Sequence, residues 1–191
     1  MIASESVETT PKQTTTGGDC PREIPIEVFQ RRVNGSVEFY RNWTSYKEGF
    51  GELDHEFWLG NDKLHYLTNQ GDYQLRIDMV NRHGTPYYAK YNLFRINDES
   101  DNYKLSKLGN FSGTADTDGG APGGYALSSH LNSAFSTFNR DNDIADSTNC
   151  AVSLHGAWWY WSCAYSNLNG DYMAADDDAS SIYWYNLPGG L

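Results

Sequence analysis

The stretch YQLRIDMVNRHGTPYYAKYNLFRI, residues 73–96, alternates, turns and runs on again. Tyr73, Leu75, Ile77 and Met79 fall on one face of an extended chain, with polar residues between them. That period of two predicts a half-buried strand. The HGTP segment supplies turn chemistry, so a hairpin follows. TPYYAKYNLFRI, rich in aromatic and branched residues, reads as the returning strand, and NYKLSKLGNFSG, residues 102–113, as a third. Consecutive strands of this kind imply an antiparallel sheet.

Upstream, Val28, Phe29 and Val33 mark a short strand closed by the turn signal NGS. NWTSYKEGFG predicts a short helix with Thr44 as N-cap, Glu48 in the last turn and glycine after it. NDKLHYLTNQG predicts another, capped by Asn61 or Asp62 and stopped at Gly71. Residues 1–24, rich in Thr, Ser, Glu, Gly and Pro, lack apolar periodicity and read as a disordered tail, leaving 25–191 as one domain. Downstream, GTADTDGGAPGG is a glycine-rich loop, and from there regular periodicity is scarce. The aromatic run Trp158, Trp159, Tyr160 and Trp161 argues against disorder there, so something must hold these loops in place.

The formal net charge of −11 argues against nucleic acid or an anionic membrane as partner and suits a cation ligand. No apolar run approaches the roughly 20 residues of a membrane helix. The N-terminus has neither the basic start nor the apolar core of a signal peptide. At 191 residues the chain is long enough for one domain with a real core.

The loop RDNDIADSTNC, residues 140–150, sets Asp141 and Asp143 two apart. A solvated loop is the plain reading. The sharper one is a calcium site, because that ion takes six to eight oxygens from carboxylates, backbone carbonyls and water. The spacing is not that of an EF-hand. Asp116 with Asp118, and Asp176 to Asp178, read as solvated turns. The three cysteines include no CxxC pair, which makes zinc a poor reading. Cys150 and Cys163 can close a local disulfide, leaving Cys20 over. Asn34, Asn42 and Asn110 open N-x-[ST] triplets, glycosylation acceptors if the chain is secreted. No nucleophile, zincin or phosphate-loop motif is present, and His130 and His155 stand in loops without a partner at recognisable spacing. Trp158 and Trp159 read as core; the other reading of AWWYW is a rim for a sugar or acetyl group.

Several long stretches together carry a resemblance: residues 28–79, YAKYNLFRI, AFSTFNRDND, NCAVSLHGAWWYWSC and SNLNG. Over residues 28 to about 185 the sequence resembles the fibrinogen C-terminal domain family of ficolins, tachylectins, tenascins, angiopoietins and fibrinogen chains. The resemblance implies an α+β fold: a twisted antiparallel sheet with short helices, then an irregular loop subdomain bearing calcium and ligand. It implies a secreted, non-enzymatic recognition module. Calcium would be held by the side chains of Asp141 and Asp143, with Ala145 and Ser147 as the expected carbonyl donors. Cys150 and Cys163 would form the disulfide beside it. A cis peptide would join Ser162 to Cys163, and the backbone N–H groups of Cys163 and Ala164 would donate to a ligand acetyl oxygen.

The side chains depart from the lectin pattern. Ala164 stands where those lectins have His and Leu154 where they have Tyr, which implies a different ligand, a more apolar one, or lost binding. Both ends also read as short of the family pattern, which leaves Cys20 without its usual partner and raises the reading of a truncated, non-functional product. The leading expectation is calcium-dependent extracellular recognition of glycans, acetylated sugars among them, in innate immunity. The runner-up is a protein-binding module of the matrix or of receptor signalling. Oligomeric state is left open.

Overall fold

The computed structural model describes residues 2–9, 26–115, 124–172 and 178–191. Their first half is a sheet. In sequence order it takes β1 (Ile2–Thr9), β2 (Ile26–Arg32), β3 (Phe50–Gly51), β4 (Phe57–Trp58), β5 (Tyr73–Val80), β6 (Pro86–Ile96), β7 (Leu105–Leu108) and β8 (Phe111–Gly113). The spatial order is β3-β4-β2-β1-β5-β6-β7, with β8 also on β6, and every pairing is antiparallel.

The predicted hairpin forms with Tyr73 opposite Phe94 and Val80 opposite Pro86. Its turn is held by Asn81, whose Oδ1 accepts from the N–H of His83 at 3.0 Å and of Thr85 at 2.8 Å. Tyr73, Leu75, Ile77 and Met79 are buried, as the alternation required. The third predicted strand splits into β7 and β8. At the break, the Asn92 side chain accepts from Asn110 N–H at 2.8 Å, and a Cβ on Gly109 would meet that same oxygen at 2.0 Å.

The N-terminal stretch corrects the reading of a tail. Ile2–Thr9 lies inside the sheet, paired with β2 on one side and β5 on the other. Two facing strands offer unpaired N–H and C=O groups, and an extended segment satisfies both through its main chain. Such pairing asks nothing of side-chain periodicity, which is why the pattern did not show it. Residues 10–25, with Cys20, lie outside the described residues.

Two helices pack beside the sheet, α1 (Trp43–Glu48) and α2 (Asn61–Thr68). Both caps differ from expectation. Asn42, not Thr44, caps α1, its Oδ1 accepting from Ser45 N–H at 3.0 Å. Gly60 precedes α2, because Asn61 is spent on the Trp58 indole at 3.1 Å. The helix ends at Thr68 and Asn69, before Gly71.

From residue 124 the backbone is largely irregular. It holds two single turns, α3 (Tyr125–Ser128) and α4 (Cys150–Ser153), and a two-residue ladder of β9 (Ser166–Asn167) with β10 (Tyr183–Trp184). Buried irregular backbone must find its hydrogen bonds elsewhere. Here buried amides supply them: Asn167 donates to Leu154 C=O at 2.9 Å and Asn169 to Ala157 C=O at 2.9 Å. From β2, Arg32 donates to the carbonyls of Leu168 at 3.2 Å and Gly170 at 2.9 Å. Trp158, Trp159 and Tyr160 are buried between the two halves, so the core reading of the first two holds.

Candidate functional site

The site is built on two neighbouring loops, 141–149 and 161–165. The first is anchored by Asn142, whose N–H donates to Ser136 Oγ at 3.0 Å and whose Nδ2 donates to Phe135 C=O at 2.7 Å. At its far end Asn149 caps α4, accepting from Val152 N–H at 3.0 Å. The Cys150–Cys163 disulfide joins α4 to the second loop. A backbone bond from Ile144 N–H to Trp161 C=O, 3.0 Å, ties the loops a second time.

Asp141 and Asp143 come together. Asp143 is half-buried and its two oxygens accept from Ala145 N–H at 2.9 Å and Cys150 N–H at 2.8 Å. Asp141 is exposed and accepts from the N–H of Asp143 at 3.2 Å. Burial raises the Asp143 pKa above the ordinary carboxylate range, and the adjacent Asp141 carboxyl adds to that, against the two backbone donors. A cation between the two carboxylates would relieve that repulsion, so the donor chemistry fits calcium. Among the described residues no group of three or more His, Cys, Asp or Glu gathers at one point. A calcium ion here would therefore complete its shell with backbone carbonyls and water. Ala145 and Ser147, the expected carbonyl donors, lie in the same loop, half-buried and exposed respectively.

The second loop brings together all three expected ligand residues. Ser162, Cys163 and Ala164 line a cavity of about 240 Å³ with Ser129, His130, Trp161 and Tyr165. The Ser162–Cys163 peptide is cis, as the resemblance implied. The N–H groups of Cys163 and Ala164 have no acceptor among the described residues, and the buried Ser129 hydroxyl also lacks a partner. Unspent donors in a cavity can pair with an acceptor oxygen. Leu154 is buried and does not line this cavity.

His130 was invisible in the sequence as a site residue. Its Nε2 accepts from the N–H of Tyr165 at 3.1 Å and of Ser166 at 3.3 Å. That places its proton on Nδ1, which donates to Trp159 C=O at 2.7 Å. Burial lowers its pKa to about 4, so the ring is neutral at physiological pH and acts as a fixed clip for the cavity wall. His155 also has partners: Nδ1 lies 2.6 Å from Asp171 Oδ1, and Tyr40 stacks on the ring at 3.8 Å. No sequence spacing could have signalled these pairs, since each joins distant segments.

Asn34, Asn42 and Asn110 are all exposed. Asn34 Oδ1 accepts from Ser36 N–H at 3.1 Å, and Asn42 is the α1 cap. Asp178 accepts from Ser180 N–H at 2.9 Å in a turn. Asp116, Asp118, Asp176 and Asp177 lie outside the described residues. Among the described residues no helix is long and apolar enough to cross a membrane.

Residues 24–190 match the family model of the C-terminal globular domain of the fibrinogen beta and gamma chains. The sequence is 52% identical over 165 residues to fibrinogen-like protein A of Apostichopus parvimensis, covering 85% of this chain and 55% of that protein. It is 49% identical over 150 residues to human ficolin-3, covering 78% and 47%, and 44% identical over 162 residues to human tenascin-R, covering 85% and 11%. It thus spans about half, or less, of the length of these relatives. Among solved structures it is similar to the fibrinogen-like globe domain of human ANGPTL2, with TM-score 0.77 and 35% identity over 97% of this chain and 86% of that one. It is also similar to lamprey fibrin D-dimer complexed with the peptide Gly-His-Arg-Pro-amide, with TM-score 0.72 and 34% identity over 87% and 61%.

Proposed function

The protein belongs to the fibrinogen C-terminal globular domain family, a family of recognition modules rather than enzymes, and from that premise we propose that it is an extracellular, calcium-supported glycan-recognition module. The observation that carries the reading is the unspent donor pair, Cys163 N–H and Ala164 N–H, in a cavity whose floor is tied to the Asp141–Asp143 loop by the disulfide. Calcium at the carboxylates would stiffen that loop and, through Ile144 and Trp161, the cavity wall. The donors would hold a ligand oxygen, and the adjoining Ala164 would receive an apolar group such as an acetyl methyl. With Ala164 in the wall, the pocket favours apolar-tipped sugars over polar ones. A disulfide and three exposed glycosylation triplets support secretion, and the likeness to human ficolin-3 supports the expected role in innate immunity. The site asks for no nucleic acid and no membrane insertion.

A second reading, a protein-binding module, is favoured by the likeness to tenascin-R and to a fibrin fragment complexed with a peptide. Calorimetry with calcium present separates the two. Titration with N-acetylated monosaccharides should show saturable binding that Ala164→Glu abolishes. Saturation by a short peptide and by no sugar would transfer the site to the protein-binding reading.

A further inference from the structure

Trp161 leaves 51% of its surface in water, although its neighbours Trp158, Trp159 and Tyr160 are buried. Its backbone is pinned on both sides: its N–H donates to Cys163 C=O at 2.8 Å and its carbonyl accepts from Ile144. The indole is therefore presented to solvent from a fixed position. It forms a wall of the cavity over Ser162–Ala164 and also a wall of a second cavity of about 290 Å³. The second cavity is bounded by Leu131, Asn132, Ser133, Asn142 and Ile144.

The chemistry of this second cavity is mixed in a particular way. One side is apolar and exposed: Trp161, Leu131 at 36% and Ile144 at 60%. The other side is neutral and polar with capacity unspent. The side chains of Asn132 and Ser133 make no hydrogen bond among the described residues, and Asn142 spends Nδ2 on Phe135 while Oδ1 stays available. Lys104 brings the one formal charge of the lining, and Asp101 neutralises it at 2.9 Å. A metal ion would need carboxylates here, and an anion a free cation. A wholly apolar segment would bury the amides without partners. A pyranose ring suits both sides, with a C–H face for the indole and a hydroxyl rim for the amides.

We propose that this cavity is a second saccharide subsite, taking the ring next to the one seated over Ser162–Ala164, with Trp161 as the partition between them. The inference rests on the glycan reading and extends it from a single sugar to an oligosaccharide of at least two.

Calorimetry of the whole protein in calcium, against β-linked N-acetylglucosamine and glucose series of one, two and four units, tests it. We expect the two-unit ligand of the bound series to bind about tenfold more tightly than its monosaccharide. The double variant Leu131→Ala with Asn132→Gly should abolish that gain and leave monosaccharide affinity unchanged. Glycine accepts the φ of +72° that Asn132 holds, so the backbone is kept, and an unchanged melting temperature confirms it. Equal affinity for one and two units would overturn the subsite while leaving the glycan reading intact. No binding of any member of either series would overturn both.

Discussion

The sheet half, residues 26–115 joined by β1, and the loops from 124 onward both bury residues in one core, yet they are specified differently. In the sheet, a repeating backbone ladder satisfies the polar groups and an alternating pattern supplies the core. Each residue there does what its neighbours do. In the loops, single side chains satisfy single carbonyls across long separations, as Asn167 does for Leu154, or single N–H groups, as His130 does for Tyr165 and Ser166. A repeating arrangement tolerates variation; a set of one-to-one bonds does not. Irregular backbone, in exchange, can leave chosen donors unpaired, and those donors form the candidate site.

The largest expected effect lies in the sheet. Ile77 is fully buried at its centre, and Ile77→Ala should cost about 4 kcal/mol in urea unfolding. Ile77→Val, which preserves the pattern, should cost only about 1 kcal/mol. If the loops are held one bond at a time, an amide there should matter nearly as much as a core side chain. Asn167→Ala leaves Leu154 C=O and the Tyr160 hydroxyl unpaired in a buried setting, for about 3 kcal/mol. Hydrogen exchange should then show protection lost first around residues 150–170 while β5 and β6 stay protected. Equal loss in both halves would break the distinction.

A third test concerns Glu56, which holds the loop leaving β2. Its Oε1 accepts from Val33 N–H at 2.6 Å, and from those of Asn34 and Gly35 at 3.0 Å each; Oε2 accepts from Val37 N–H at 2.9 Å. Burial alone would raise its pKa; the four backbone donors outweigh burial and lower it from 4.5 to about 2. A lowered carboxylate pKa adds stability that is fully present above about pH 4.5 and is lost as pH falls toward 2. Glu56→Gln should flatten the acid limb of the stability profile over that window. The smallest effect is at the α1 cap: Asn42→Ala should cost about 1 kcal/mol, and Thr44→Ala clearly less.

What the sequence disclosed follows the same division. Tyr73–Val80 was legible residue by residue because its period is local. The site loops were legible only as whole motifs shared with a family; composition alone left Asp141 and Asp143 undecided between a cation and water. The α2 cap was misplaced because Asn61 is drawn to Trp58, a tertiary partner that no local rule contains. β1 was missed because its place rests on main-chain pairing with strands that arrive later in the sequence. His130 was missed because its partners are 29 to 36 residues away.

The proposed cation at Asp141 and Asp143 would stiffen the 141–149 loop and, through the Ile144–Trp161 bond, the cavity wall. Thermal melting with and without calcium, in the native protein and in Asp141→Ala, tests it most directly. Asp141 is exposed, so its replacement should leave the calcium-free protein folded with a cooperative melt of its own, against which the calcium shift is read. A ligand of the folded state raises the melting temperature by mass action. We expect millimolar calcium to raise the midpoint of the native protein and to leave that of Asp141→Ala where it was. A cooperative melt that calcium does not move in either protein would contradict the claim.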